Sequence, residues 1–278
     1  MEVFLFPQFL YWLILVMILQ LPTDLTHLPE RIISLVPSQT ELLYDLGLEA
    51  ETVGITKFCV HPQSWFKTKE RVGGTKKINI DKVHQLKPDL IIANKEENIK
   101  EQVEELVKDY PVWLTNVNTL EDALQMIGDI GTLTGKHAEA KAITVSISEH
   151  FNSLANQETQ STKSRTAYLI WQKPYMTVGS DTFISNMLTH CGFENIFANK
   201  VRYPEVSIAE LQTANCQLLL LSSEPYPFKQ KHIDELSEQL PGTKILLADG
   251  EFFSWYGSRL LKAPAYFNEL IKTVGKLN

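Results

Sequence analysis

The chain has little of what the commonest chemical sites are built from. Three cysteines in 278 residues, Cys59, Cys191 and Cys216, stand far apart and are odd in number. Neither a Cys-x-x-Cys metal site nor a disulfide framework is written in that spacing. Free buried thiols are the expectation, and a single bridge between Cys191 and Cys216 is the alternative in an oxidising compartment. Positive charge is also in deficit: 26 Lys and Arg against 33 Asp and Glu give a formal net charge of -7. No Lys/Arg stripe interleaves with aromatics, which argues against nucleic acid as a partner. Nucleophile elbow, phosphate loop and complete metal triad are all missing. No apolar run is comfortably long enough for a membrane span unless residues 3–6 join the longest one across Pro7. The longest, residues 9–19, has the length of a signal-peptide core, but Glu2 stands where Lys or Arg belongs and no small-x-small cleavage site follows. Three readings of residues 1–30 stay open: an uncleaved export anchor, a poor signal peptide, or a misassigned start with translation beginning at Met17. The segment is set aside from the fold.

What remains is globular. With 44% hydrophobic and 21% charged residues, the chain can bury one large core or two medium ones, and its length favours two. From Arg31 onward, short apolar runs alternate with helical patterns, which predicts an α/β architecture with mostly parallel sheets. In the first half, strands are expected at residues 31–36, 52–55, 89–93 and 112–115, with helices at 39–46, 80–86 and 99–110. Ser38-x-x-Glu41 and Asn98-x-x-Glu101 both read as capping boxes at helix starts. Residues 120–156 are helical almost throughout, interrupted at Gly135. The second piece, residues 136–154, would make a rod about 28 Å long. A polar stretch at 156–164 reads as a linker. Strands are then expected at 166–171, 176–178, 217–221 and 244–247, with helices at 182–191, 208–212, 231–240 and 259–274. Ser207-x-x-Glu210 repeats the box of the first half. The divisions are therefore 1–30 (lead-in), 31–118 (first α/β lobe), 119–156 (helical region with a bridging helix) and 165–278 (second α/β lobe).

The run from Arg31 through Leu43 (RIISLVPSQTELL), Val53-Gly54-Ile55, and Leu86 through Ala93 (LKPDLIIA) resembles the periplasmic binding proteins for iron-siderophores, haem and cobalamin. The likeness continues through Gly192-Phe193-Glu194-Asn195-Ile196-Phe197 and Tyr203-Pro204-Glu205-Val206-Ser207, and spans roughly residues 30 to 275. The cobalamin-binding branch is the nearest group. The resemblance implies two α/β lobes bridged by one long helix, with the ligand in a cleft between them and delivery to the permease of an ABC transporter. The rod at 136–154 sits where the family's bridging helix belongs.

Candidate residues follow from strand ends and from this resemblance. Ser38 and Glu41 are first of all caps, whereas Pro37 lies at the carboxyl end of a strand, where open α/β sheets hold ligands. Phe58 falls where the cobalamin branch places a stacking aromatic. Cys59 and His61 together are half a metal site, and the plainer reading is a buried Cys beside a hydrogen-bonded His. Thr75, Lys76, Asn94 and Lys95 complete the first rim, with Thr75 and Asn94 at places where the cobalamin proteins carry Trp. In the second lobe Trp171, Tyr175, Tyr203, Tyr226, Trp255, Tyr256 and Arg259 are the candidates, since aromatics beside Pro and Gly in loops line sites. Lys76, Lys95 and Arg259 would supply charge to an anionic ligand edge. Asp81 and Glu210 correspond to the acidic residues with which the family docks on its permease. Taken with these residues, the resemblance implies a monomeric, non-enzymatic, substrate-binding component of an ABC importer, without a resident cofactor. The expected ligand is cobalamin, another corrinoid or a related small-molecule metal chelate (ferric siderophore, haem), bound outside the cytoplasmic membrane by a protein that is periplasmic or anchored to its outer face. The alternatives are a metal-binding or chelatase-like enzyme using Cys59, His61 and Glu251, or a cytosolic chelate-binding protein if the apolar amino terminus is an artefact.

Overall fold

A computed structural model describes residues 18–157 and 164–275. The expectations for residues 1–17, including the start at Met17, and for residues 158–163 of the polar linker lie outside the described residues. Backbone contacts divide the chain into two units, Met1–Asn116 with Leu124–Thr144, and Val117–Ala123 with Val145–Asn278.

The first unit runs β1 (Ile32–Ser34), α1 (Pro37–Asp45), β2 (Thr52–Ile55), α2 (Gln63–Thr68) and β3 (Glu70–Arg71). A hairpin of β4 (Gly73–Gly74) and β5 (Lys77–Ile78) follows, then α3 (Ile80–Leu86), β6 (Leu90–Asn94), α4 (Lys100–Leu106) and β7 (Val112–Thr115). The five sheet strands lie in the order β3-β2-β1-β6-β7, all parallel. Parallel strands are covered on both faces, so they read as unbroken apolar runs; every residue of β1 and β6 is buried. Ile33, Leu35, Ile91, Val103, Leu106 and Val112 form the core on one face. Each such aliphatic side chain contributes about 1.5–3 kcal/mol relative to exposure. The lead-in is not wholly outside the fold: Ile18 makes a parallel bridge to Val112, and the Leu19 N–H donates to the Val112 carbonyl at 3.0 Å.

Two expected capping boxes are absent. At α1 the N-cap is Val36, Pro37 occupies the first turn, and no side chain caps the helix. Proline has no N–H to satisfy and a helical φ built in, so the helix begins one step before Ser38 can act as cap. Ser38 and Glu41 are buried in the helix, and Thr40 Oγ1 ties its start to Ser34 Oγ at 2.8 Å. At α4 the N-cap is Ile99 without a side-chain bond. Asn98 is drawn away: its Oδ1 accepts from the Asn94 N–H at 2.9 Å and its Nδ2 donates to the Leu35 and Thr75 carbonyls at 3.3 and 3.1 Å.

Helix α5 (Leu120–Leu133) and helix α6 (His137–Gln157, 21 residues) follow, separated at Gly135, whose φ of +70° suits glycine. The contact division passes through both: α5 begins in the second unit and continues in the first, and α6 begins in the first and continues in the second from Val145.

The second unit contains β8 (Arg165–Leu169), α7 (Phe183–His190), β9 (Glu194–Asn195), α8 (Ile208–Thr213) and β10 (Leu218–Ser222). Then come α9 (Gln230–Gln239), β11 (Lys244–Ala248), α10 (Gly250–Ser254), a 3-10 turn at Ser258–Leu261, and α11 (Ala263–Gly275). Its strands lie in the order β11-β10-β8-β9, again parallel. The strand expected at 176–178 is not formed. The chain doubles back after Trp171 through Lys173, at φ +67°, so Met176 makes only isolated antiparallel bridges to Trp171 and Glu205. The helix expected over 259–274 is divided, because Pro264 cannot donate backward and the α-helix restarts beside it. The box at α8 is real: Ser207 Oγ accepts from the Glu210 N–H at 3.2 Å, and Glu210 Oε2 accepts from the Ser207 N–H at 2.8 Å. The three cysteines are free and buried, with no bridge between Cys191 and Cys216. Among the described residues no helix is long and apolar enough to cross a membrane.

Candidate functional site

In a parallel sheet every strand ends at the same edge, so the loops beyond those ends are gathered without any further device. In the first unit that edge collects the start of α1 after β1 (Pro37), the loop after β2 (Phe58, Cys59, His61) and the loop after β6 (Lys95). The hairpin carrying Thr75 and Lys76 is tied to it. The Lys57 N–H donates to the Gly73 carbonyl at 2.8 Å, Asn98 holds the Thr75 carbonyl, and Lys76 Nζ donates to the Glu96 carbonyl at 2.5 Å.

These residues differ in what they offer. Phe58 is 50% exposed, with Lys57 Nζ 5.0 Å from its ring centroid. Lys76 and Lys95 are exposed, and Pro37 and His61 are half-buried. Cys59 is fully buried, its sulfur accepting from Thr40 Oγ1 at 3.1 Å and lying 3.2 Å from Thr56 Oγ1. Burial pushes the thiol pKa up against those hydrogen bonds, which opposes the thiolate needed for metal ligation or nucleophilic attack. Asn94 is buried as well: its Oδ1 accepts from the N–H groups of Glu96 and Glu97 at 2.8 and 3.1 Å, and its Nδ2 donates to Thr115 Oγ1 at 3.0 Å. It shapes the loop that bears Lys95. Thr75 is also buried.

In the second unit the corresponding edge brings together Trp171 and Tyr175 after β8, Tyr203 beyond β9, Tyr226 after β10, and Trp255, Tyr256 and Arg259 after β11. The β8 and β10 loops are joined by the Tyr226 N–H donating to the Ile170 carbonyl at 3.3 Å. Trp171, 40% exposed, meets Tyr226 edge-on with centroids 5.6 Å apart. Tyr175, Tyr203 and Arg259 are half-buried.

Beyond β11 the chemistry is more enclosed. Trp255 and Tyr256 are 6% and 4% exposed; the Trp255 indole donates to Glu224 Oε1 at 3.0 Å, and Tyr256 packs edge-on to Phe183. Arg259 pairs with Glu251 at 2.6 Å and lies 4.8 Å from the Trp255 ring centroid. The positive charge expected at the rim is thus met by a carboxylate of its own unit. Glu224, which the sequence reading passed over, is the centre of this group. Ser254 Oγ also donates to its Oε1 at 2.6 Å. Burial pushes the Glu224 carboxyl pKa up, with Glu251 and Asp249 adding repulsion and the Ser254 and Trp255 hydrogen bonds opposing. Nothing in a Ser-Ser-Glu-Pro run signals this, because the partners lie about thirty residues downstream. Asp249, Glu251 and Tyr266 line a surface hollow of about 470 Å³ alongside.

The two carboxylates expected to dock a permease are both exposed. Asp81 stands in the first turn of α3. Glu210 is engaged by Lys200 at 2.8 Å and by the Ser207 cap, and these bonds hold its pKa at about 2. Among the described residues no group of three or more His, Cys, Asp and Glu is arranged to hold a metal ion.

The Periplasmic binding protein family model matches residues 32–244. A vitamin B12-binding protein of Yersinia pestis (strain Pestoides F) is 28% identical over 226 residues, 81% of this chain and 78% of that protein. Among solved structures, the periplasmic vitamin B12 binding protein BtuF of Vibrio cholerae superposes with a TM-score of 0.77 at 24% identity, covering 89% of this chain and 98% of that one. The periplasmic heme-binding protein RhuT from Roseiflexus sp. RS-1 gives a TM-score of 0.75 at 18% identity, with the same coverages of 89% and 98%. Both superpositions speak for the fold.

Proposed function

Because the chain belongs to the periplasmic binding protein family, we propose that it is the substrate-binding component of an ABC-type importer, carrying cobalamin or a related metal chelate such as haem or a ferric siderophore. One observation supports the reading: each unit by itself carries aromatic or cationic side chains about the carboxyl ends of its own parallel sheet, Phe58, Lys76 and Lys95 in the first and Trp171, Tyr203 and Tyr226 in the second. Flat apolar faces with a few charges at their margin suit a planar chelate with polar groups at its edge. The curated relative named above is a vitamin B12-binding protein, which favours a corrinoid. Thr75 and Asn94, polar and buried, instead favour a wall less aromatic than the cobalamin branch presents. The protein acts outside the cytoplasmic membrane and hands its ligand to a permease through Asp81 and Glu210. It performs no chemistry on the ligand.

Titrating the protein with cyanocobalamin, haemin and a panel of ferric siderophores, and following tryptophan fluorescence, tests the reading. One compound is expected to quench with a stoichiometry of one per chain. Silence across the panel would remove the ligand class.

A further inference from the structure

His232 is 3% exposed, at the third position of α9, and both of its ring nitrogens are engaged. The backbone N–H of Lys229, the N-cap of that helix, donates to Nδ1 at 2.8 Å. A backbone N–H can only donate, so Nδ1 is the acceptor and the proton of the neutral ring sits on Nε2. Nε2 lies 3.2 Å from the Tyr226 hydroxyl, which therefore accepts from it and donates in turn to Gln172 Oε1 at 2.8 Å. The Gln172 amide continues to the Tyr175 hydroxyl at 3.4 Å. One helix start is thereby wired to two loops, 171–176 and 222–228, whose outermost ring is Trp171. Aromatic contacts follow the same path: His232 lies 5.5 Å from Tyr226 and 5.3 Å from Phe228, and Tyr226 lies 5.6 Å from Trp171.

Capping alone does not call for this residue. Glu or Gln at the third position accepts from the N-cap N–H equally well. An imidazole is what offers an acceptor toward the helix and a donor toward Tyr226 at once, from one rigid plane. We propose that His232 is a positioning residue for ligand capture: its imidazole, locked in one tautomer by the helix start, fixes the Tyr226 hydroxyl and, through Gln172, the loop that presents Trp171. This role rests on the reading that Trp171 and Tyr226 touch ligand.

Two variants separate the halves of the role. His232→Asn keeps an acceptor where Nδ1 was and removes the donor, while His232→Ala removes both. Two readouts are taken on the full chain: affinity for whichever of cyanocobalamin, haemin or the ferric siderophores the wild type binds, and near-ultraviolet circular dichroism of the ligand-free protein, with thermal melts as the fold control. His232→Asn is expected to melt near the wild type yet bind on the order of threefold to tenfold more weakly and to lose part of the aromatic dichroism. His232→Ala is expected to melt lower than His232→Asn and to show the same loss of affinity and dichroism. Unchanged affinity and dichroism in His232→Asn would overturn the proposal and leave the cap as the residue's only role. If the wild type binds none of these compounds, the ligand reading falls, and the dichroism of the two variants still decides whether His232 orders the aromatic loops.

Discussion

Two carboxylates, Glu224 in the loop that carries Tyr226 and Glu210 at the start of α8, have pKa values shifted in opposite directions. Glu224 is held above the ordinary carboxyl value of 4.5 by burial. The folded state therefore binds its proton more tightly than the unfolded state, and its contribution to stability falls as pH rises from 4.5 through the raised value. The difference in urea midpoint between Glu224→Gln and wild type should move in favour of the variant across that window, since Gln keeps an acceptor for Ser254 and Trp255. A pH-independent difference would contradict the burial argument. Glu210 is held down at about 2 by Lys200 and Ser207. Its contribution is present above 4.5 and lost as pH falls toward 2, and solvent screening keeps it small at so exposed a position. Comparison of Glu210→Gln with wild type between pH 5 and 2.5 checks that sign. Residue type alone did not reveal these environments. Trp171 lies just beyond β8 and Trp255 just beyond α10, which follows β11, yet the first is 40% exposed and the second 6%. The Trp255 indole is anchored by Glu224 from another loop and has Arg259 over its ring.

At the scale of elements, the hairpin β4–β5 is the structure on which the first unit's rim rests. Gly73 has φ +99°, and a Cβ there would lie 2.4 Å from the Lys77 carbonyl oxygen. Gly73→Ala should therefore cost about 1–3 kcal/mol in a chemical melt and weaken ligand binding by displacing Lys76; a variant as stable as wild type would refute this. The strands at Thr52–Ile55 and Val112–Thr115 were legible to the residue, because sheet burial leaves a continuous apolar run. Hairpin strands of two residues have no period to read, and neither does the six-residue helix α2. The Ser-x-x-Glu pattern shows how context decides: at 207–210 it caps, while at 38–41 Pro37 starts the helix first and the same spacing ends up inside it. Strand ends, and so the loops that carry the candidates, could be read from sequence. Which of their side chains face solvent could not, since that depends on partners distant in the chain.

For the whole molecule, capture and delivery should be separable by mutation. Asp81 is exposed in the first turn of α3 and belongs to none of the candidate ligand residues, whereas Glu210 also caps α8. Asp81→Asn is thus the cleaner probe. It is expected to leave ligand affinity within about twofold of wild type and to lower permease-coupled uptake by about tenfold. Uptake unchanged in reconstituted vesicles would remove Asp81 from the docking surface. The contact division carries one more consequence. The chain leaves the first unit after Asn116, returns at Leu124 and leaves again after Thr144, so neither unit is a contiguous stretch of sequence. During synthesis the first sheet can be complete at Thr115 while the helical residues that finish its unit are still unmade. Cutting the gene at the end of that sheet would yield a fragment lacking part of its own core. The two halves are a single folding problem in time, and a truncation library should show soluble product only once the ribosome has passed well beyond residue 144.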